Sequence, residues 1–184
     1  MSVEAVGALR EPVRRAVYEY AVGRSEPVGR DEIAEAVGIG RTRFPLDSPD
    51  LAGFVNRLEE INALADAASG FIWRLVDADG ADATSLRPYG PDVIVNLSLW
   101  ESVEALYEYA YRSAHLDVLR RRREWFNHDG LPGSAVLWWV PAGAVPTLQE
   151  ARDRLDLLSR HGPTARAFTF RDRFPPPDDG RAGD

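Results

Sequence analysis

The stretch Val93-Ile-Val-Asn-Leu-Ser-Leu-Trp100 constrains this chain more than any other. It alternates as a β-strand does, sending successive side chains to opposite faces. Val93, Val95, Leu97 and Leu99 form one wholly aliphatic face, suited to packing against helices. Ile94, Asn96, Ser98 and Trp100 form the other. Two polar groups and an indole on a buried face point to a pocket rather than to filler.

Composition narrows the classes. A length of 184 residues suits one domain with an appendage and can bury a sizeable core. The formal charge of -7 speaks against a surface built for nucleic acid or for anionic membranes. With 0 cysteines there is no disulfide framework, thiolate cluster or cysteine nucleophile. No apolar run approaches the length of a membrane span, and the N-terminus lacks the apolar core of a secretory signal. The expectation is a cytoplasmic protein with no membrane partner.

Leu9–Ala21 reads as a helix with Val13, Ala16, Val17 and Tyr20 on one side. Asp31–Val37 reads as a second, short helix ending at Gly38. Together, Leu9–Tyr18 and Val28–Ile39 resemble the opening of a bacterial winged helix-turn-helix. The recognition helix is cut short by Pro45, which disfavours helix at Phe44. Met1–Phe44 carries seven arginines against seven acids, so the arm has no basic surplus for phosphates. Val37–Phe44 is also the only segment that can supply a first strand to the domain that follows, despite its two glycines. It cannot be both strand and recognition helix, and the strand is the expectation.

Beyond it, Ser48 caps and Pro49 opens a helix with an apolar stripe from Leu51 to Ala65. Phe71–Val76 reads as a strand with Phe71, Trp73 and Leu75 on one face. Asp77–Pro91 is a turn-rich connection to Val93–Leu99. Two helices follow, Glu101–Arg112 and Ala114–Asn127, with a bend near Ser113; Leu116, Leu119, Arg123 and Phe126 trace the second. Arg120–Arg123 covers several faces of that helix and reads as solvated surface. Ala135–Val140 is a buried strand, Thr147 and Glu150 have capping-box spacing, and Gly162-Pro163 closes the last helix. Ala167–Arg171 can add a short strand. The order βαββαβ predicts an α+β fold with a ferredoxin-like antiparallel sheet.

Several segments together resemble an uncharacterised bacterial family of the dimeric α/β-barrel superfamily, similar in fold to antibiotic-biosynthesis monooxygenases. They are Pro45–Phe54, Gly70–Arg74, Asn96–Leu106, Tyr111–His115, Arg122–Phe126, Leu137–Gly143 and His161–Pro163. The resemblance implies a homodimer that closes a barrel around a small-molecule ligand. It divides the chain into a helical extension over 1–36, a barrel domain over 37–174 and a tail over 175–184.

The expected pocket gathers Asn96, Ser98 and Trp100 with Trp73 or Arg74 from the neighbouring strand and Trp138 or Trp139 from the later one. Monooxygenases of this superfamily work without a cofactor, using an Asn and a Trp to polarise a ring carbonyl. Asn96 and Trp100 are similar in kind and spacing and can donate to such an oxygen. His115 follows Tyr111 at i,i+4 spacing, so both are expected at the cavity mouth, His115 as base or, as related haem-degrading barrels imply, as an axial haem ligand. No metal-binding pattern is present. Three functions follow as expectations: binding of an apolar or aromatic molecule with cofactor-independent monooxygenation, DNA-binding regulation through the N-terminal arm, or a non-catalytic binding barrel.

Overall fold

The computed structural model describes residues 32–77, 80, 82–127 and 135–177. Its frame is β1 (Glu32–Thr42), a strand of alternating size. Ile33, Glu35, Val37 and Ile39 face one way, and Ala34, Ala36, Gly38 and Gly40 the other. β1 pairs antiparallel along its length with β3 (Val93–Trp100) and on its other side with β5 (Ala135–Pro141). The two-residue β4 (Phe126–Asn127) occupies the remaining part of that second side, against Arg41 and Thr42. β2 (Phe71–Arg74) adds beyond β3. The path β2-β3-β1, with β5 beyond, is the ferredoxin-like antiparallel order.

β1 corrects one expectation. Glu32–Val37 is strand, where a short helix was expected, and the strand begins five residues before Val37. The run Glu-Ile-Ala-Glu-Ala has good helix formers, but a central strand satisfies two ladders at once, and that long-range demand outweighs local propensity. The remainder of the helix-turn-helix reading, residues 1–31, lies outside the described residues.

The aliphatic face packs on α5 (Leu148–His161). Ile33, Val37, Ile39, Val93, Val95, Leu97, Leu99, Val136, Trp138 and Val140 form one buried cluster with Ala151 and Leu155 of that helix. Leu75, Leu86 and Tyr89 of the β2–β3 connection extend the cover, and the Tyr89 hydroxyl donates to the Leu148 carbonyl at 3.1 Å. Thr147 caps α5 by accepting from the Glu150 N–H at 3.1 Å, and Gly162 ends it at φ +71°.

The opposite face packs on α1 (Ala52–Val55), α2 (Leu58–Asp66), α3 (Val103–Arg112) and α4 (His115–Trp125), in two clusters. Ser48 and Pro49 open this region as expected, through a 3-10 turn at Pro49–Leu51, but the apolar stripe is divided between α1 and α2 at Asn56–Arg57. Ser102 caps α3, and the extended backbone of Ser113 makes the expected bend before α4. The buried anchor of α4 is Trp125 rather than Leu116 or Leu119, which remain half-buried. The last expected strand shrinks to isolated bridges, Phe168 with Leu137 and Ala167 with Thr164. The sheet thus has helices of its own chain on both sides.

Two local features set tight conditions. Gly70 turns the chain into β2 at φ +78°, and a Cβ there would sit 2.7 Å from the Ala105 Cβ. Backbone conformation and space both demand glycine. Gly70→Ala should cost about 2 kcal/mol or more, read as a fall in the urea midpoint at unchanged slope.

The second is Glu35, fully buried amid the aliphatic face. Neither carboxyl oxygen has a hydrogen-bond partner among the described residues. Desolvation, with Glu150 adding and Arg154 opposing, raises its pKa from 4.5 to about 10. The folded protein therefore holds a proton that the unfolded chain releases above about pH 4.5, so stability falls as pH rises from there to about 10. At roughly 1.4 kcal/mol per pH unit, the loss by pH 7 is about 3 kcal/mol. Glu35→Met should remove most of that slope and raise stability at pH 7 by about 2–3 kcal/mol; urea unfolding from pH 5 to pH 9 measures both.

Candidate functional site

On the α1–α4 side of the sheet, Ala34, Ala36, Gly38 and Gly40 of β1 are all small, and their cross-strand partners define four rows. Trp100, Ala34 and Trp139 make the first; Ser98, Ala36 and Leu137 the second; Asn96, Gly38 and Ala135 the third. Ile94 and Gly40 make the fourth, over which the Phe126 ring lies so closely that a Cβ on Gly40 would meet it at 2.8 Å. Bulky groups fill both ends of this trough. At one end Trp100 packs with Ala65, Val103 and Leu106, and at the other Ile94 packs against Phe54, Trp125 and Phe126. The Asn96 row lies between them. Asn96 is exposed in mid-strand, although Ile94 and Ser98 on either side of it are half-buried.

Trp100 is the wall at one end of the trough and has no exposed surface. Its indole N–H donates to Ser98 Oγ at 3.0 Å, its ring stacks on Tyr109 at 5.0 Å, and Phe71 meets it edge-on at 5.2 Å. The Tyr109 hydroxyl in turn donates to the Ile61 carbonyl at 3.2 Å, which ties α3 to α2. Burial pushes the Tyr109 phenol well above its usual range, so it stays a donor. The His115 ring lies on the other side of this chain of contacts, 4.8 Å from Tyr109, with Nδ1 3.2 Å from the Ala110 carbonyl. Burial holds its pKa below the ordinary value; the Ala110 contact opposes this and the Arg57 charge adds to it. His115 is therefore a neutral imidazole with Nδ1–H donated to the backbone, leaving Nε2 as its acceptor.

Arg74 stands across from Ser98 and grips Asp66 through Nε and Nη2, at 2.8 and 3.2 Å. This pair fastens β2 to α2 on the same side as Trp100. Asn96, Ser98, Trp100 and Arg74 thus lie on one side of the sheet, and His115 stands at the start of α4 among the helices that cover it.

Three expected lining residues lie elsewhere, and a fourth, Trp139, is turned aside. A bulge between Phe71 and Trp73 inserts one residue into β2, so Trp73 pairs with Leu99 and joins the α5-facing core. Strict alternation would have kept it beside Phe71. Trp138 also belongs to that core, with no exposed surface. Trp139 shares the trough side, but its indole N–H donates to the Phe174 carbonyl at 2.9 Å and its ring turns toward Phe168. Tyr111 is 38% exposed, packed on Tyr107 and Phe170 at the outer surface of α3. The arginine run is solvated as expected: Arg120 pairs with Asp117, and Arg121 pairs with Glu124 while lying over the Trp125 ring at 5.0 Å.

An axial haem ligand must stand clear of its neighbours with its free nitrogen over the porphyrin plane. His115 lies against Tyr109 at the α3–α4 bend, so these residues do not fit a haem. Among the described residues no group of three His, Cys, Asp or Glu is placed to hold a metal ion. Among the same residues no helix is long and apolar enough to cross a membrane. What the arrangement offers is an apolar trough with a small-residue floor, one exposed amide donor, and a neutral imidazole behind an aromatic wall.

Sequence reasoning left out Gly38, Ala36, Tyr109 and Glu35. The signal for three of them was the alternation of β1 itself, legible once Glu32–Thr42 is taken as strand. Tyr109 sits one turn beyond Leu106 on α3 and was masked by the more obvious Tyr111.

No curated protein matches the chain significantly. Among solved structures, the chain is similar to the protein of unknown function NE2512 from Nitrosomonas europaea, at 10% identity and a TM-score of 0.40, over 64% of this chain and 95% of that one. It is also similar to SnoaB, a cofactor-independent oxygenase from Streptomyces nogalater, at 15% identity and a TM-score of 0.38, over 65% and 98% of the two chains. Likeness at this level bears on neither substrate nor reaction. Residues 32–182 match the family described as Domain of unknown function (DUF3291), a stretch that begins at the first residue of β1. The chain belongs to the DUF3291 family.

Proposed function

We propose that the trough on the α1–α4 side binds a small, largely apolar or aromatic molecule carrying one hydrogen-bond-accepting oxygen. The observation that carries this reading is Asn96, an exposed amide in the middle of an internal strand, opposite Gly38 and between half-buried neighbours. A flat ring can lie over Gly38 and Ala36 where any larger β1 side chain would fill the space. The Asn96 amide then donates to the ring's oxygen, and the Trp100–Tyr109 stack closes one end.

Turnover belongs to the same proposal. An electron-rich hydroxylated ring, once deprotonated, reacts directly with dioxygen; one oxygen atom enters the ring carbon, the other leaves as water, and the substrate supplies the electrons. Asn96 stabilises the developing oxyanion, and His115, packed behind Tyr109, supports the aromatic wall rather than reaching the ring. Trp100 acts as a positioning residue, because its N–H is already given to Ser98. A homodimer completes the reading, each copy holding its own trough.

The test uses 1-naphthol as probe, followed by calorimetry and by oxygen uptake. Gly38→Val should fill the floor and weaken binding at least tenfold while the circular dichroism spectrum is retained. Asn96→Ala should weaken it about fivefold to tenfold, the value of one exchanged hydrogen bond. Unaltered affinity in Gly38→Val sinks the trough as the site, whereas binding without oxygen uptake removes the oxygenase part and leaves a binding domain. Light scattering at micromolar concentration should return the mass of two chains; the mass of one removes the homodimer.

A further inference from the structure

Helix α3 has an outer face as distinctive as its inner one. Val103, Leu106 and Ala110 are buried on the inner side. Glu104, Tyr107, Glu108, Tyr111 and Arg112 recur at helical spacing on the other, where both acids, Tyr111 and Arg112 are exposed and Tyr107 is half-buried. Tyr111, 38% exposed, is the large hydrophobic side chain left open among the described residues.

The C-terminal segment widens this face without covering it. The Tyr107 and Tyr111 rings lie 4.9 Å apart, and Phe170 meets them edge-on at 5.8 and 5.3 Å. Arg173 rests over the Tyr107 ring at 5.1 Å. Three aromatic rings and a guanidinium form one patch, made of the residue types that protein interfaces favour.

The charges around the patch say which partner fits. Glu104 and Glu108 stand toward the start of the face and Arg112 at its end. A uniformly acidic surface would meet the two glutamates, and a uniformly basic one would meet Arg112 and Arg173. The face is instead complementary to itself turned end for end. With two copies of α3 antiparallel about a twofold axis, Tyr107 of each reaches Tyr111 of the other, and Glu108 of each reaches Arg112 of the other. The ion pairs within one chain do not oppose this. Arg112 meets Glu108 at 3.4 Å, and Arg173 meets Glu104 at 3.4 Å, in both cases from solvent-exposed positions. Such surface pairs add little to stability and exchange readily for pairs across an interface.

We propose that the outer face of α3, widened by Phe170 and Arg173, is the surface through which two copies of this chain pair, with their α3 helices antiparallel. This contact rests on the homodimer inferred above and is independent of the trough.

Light scattering over a dilution series tests it, with circular dichroism to confirm that each surface variant keeps the fold. The unaltered chain should return the mass of two chains at micromolar concentration, and Tyr111→Glu the mass of one. Glu108→Arg alone and Arg112→Glu alone each place like charges across the twofold, so each should weaken the dimer at least tenfold. Mixed in equal amounts, the two variants should recover the mass of two chains, because each supplies the charge that the other lacks. An effect confined within one chain cannot produce recovery on mixing. An unaltered chain with the mass of one overturns the homodimer and this contact together. A dimer that survives Tyr111→Glu or both charge variants leaves the homodimer standing and removes α3 as its surface. A mixture that stays dissociated overturns the antiparallel pairing.

Discussion

The double pairing of β1 is the constraint on which the rest of this structure depends. A strand hydrogen-bonded on both sides must satisfy two ladders, and its side chains must suit two helical layers at once. β1 does this by separating its residues by size. Ile33, Val37 and Ile39 reach toward α5, and Ala34, Ala36, Gly38 and Gly40 leave the other side low. The bulk on that low side comes from its neighbours, Trp100 and Trp139 at one end and Ile94 and Phe126 at the other. The trough is therefore a direct product of the central strand's alternation. The Arg41–Asp92 ion pair and the Thr42 N–H to Asp92 carbonyl bond, at 2.8 Å, hold the end of β1 against the start of β3 and fix that register.

The same strand carries the molecule's least comfortable residue. A carboxyl in the position of Glu35 works against folding at neutral pH, and an aliphatic side chain there would pack equally well. Natural folds tend to break local rules where a group has a use. Two chemically different surfaces thus arise from one strand, an amide-edged trough on one side and an acid beside an indole on the other.

Much of this was legible in the residues. The strand Val93–Trp100, the bend at Ser113, the cap at Ser48, the capping Thr147 and the stop at Gly162 follow from short-range rules, and each stands where those rules put it. Asn96, Ser98 and Trp100 share a face because a strand has a period of two. Local rules failed where distant pairing decides. Glu32–Val37 has the composition of a helix and becomes the central strand only because β3 and β5 need it. The β2 bulge, which sends Trp73 away from the trough, has no signature in Phe-Ile-Trp-Arg. Whether Trp138 or Trp139 faces the trough turns on the register of β5, which an apolar run such as Val-Leu-Trp-Trp-Val does not reveal. Glu35 was hidden by the same misreading of β1, since a glutamate in a helix can always be placed toward water.

The C-terminal segment has a bearing on how the protein behaves in company. β5 is an outer strand, and an uncovered outer strand offers its free amides and carbonyls to any extended chain that passes. Here Phe168 exchanges both backbone hydrogen bonds with Leu137, at 2.9 and 2.8 Å, and its fully buried ring is set beside Trp139 and Phe174. The Trp139 indole then holds the chain in place through the Phe174 carbonyl. A few residues that add no full strand act as a selvedge, finishing the border of the sheet so that it does not fray into contact with its neighbours.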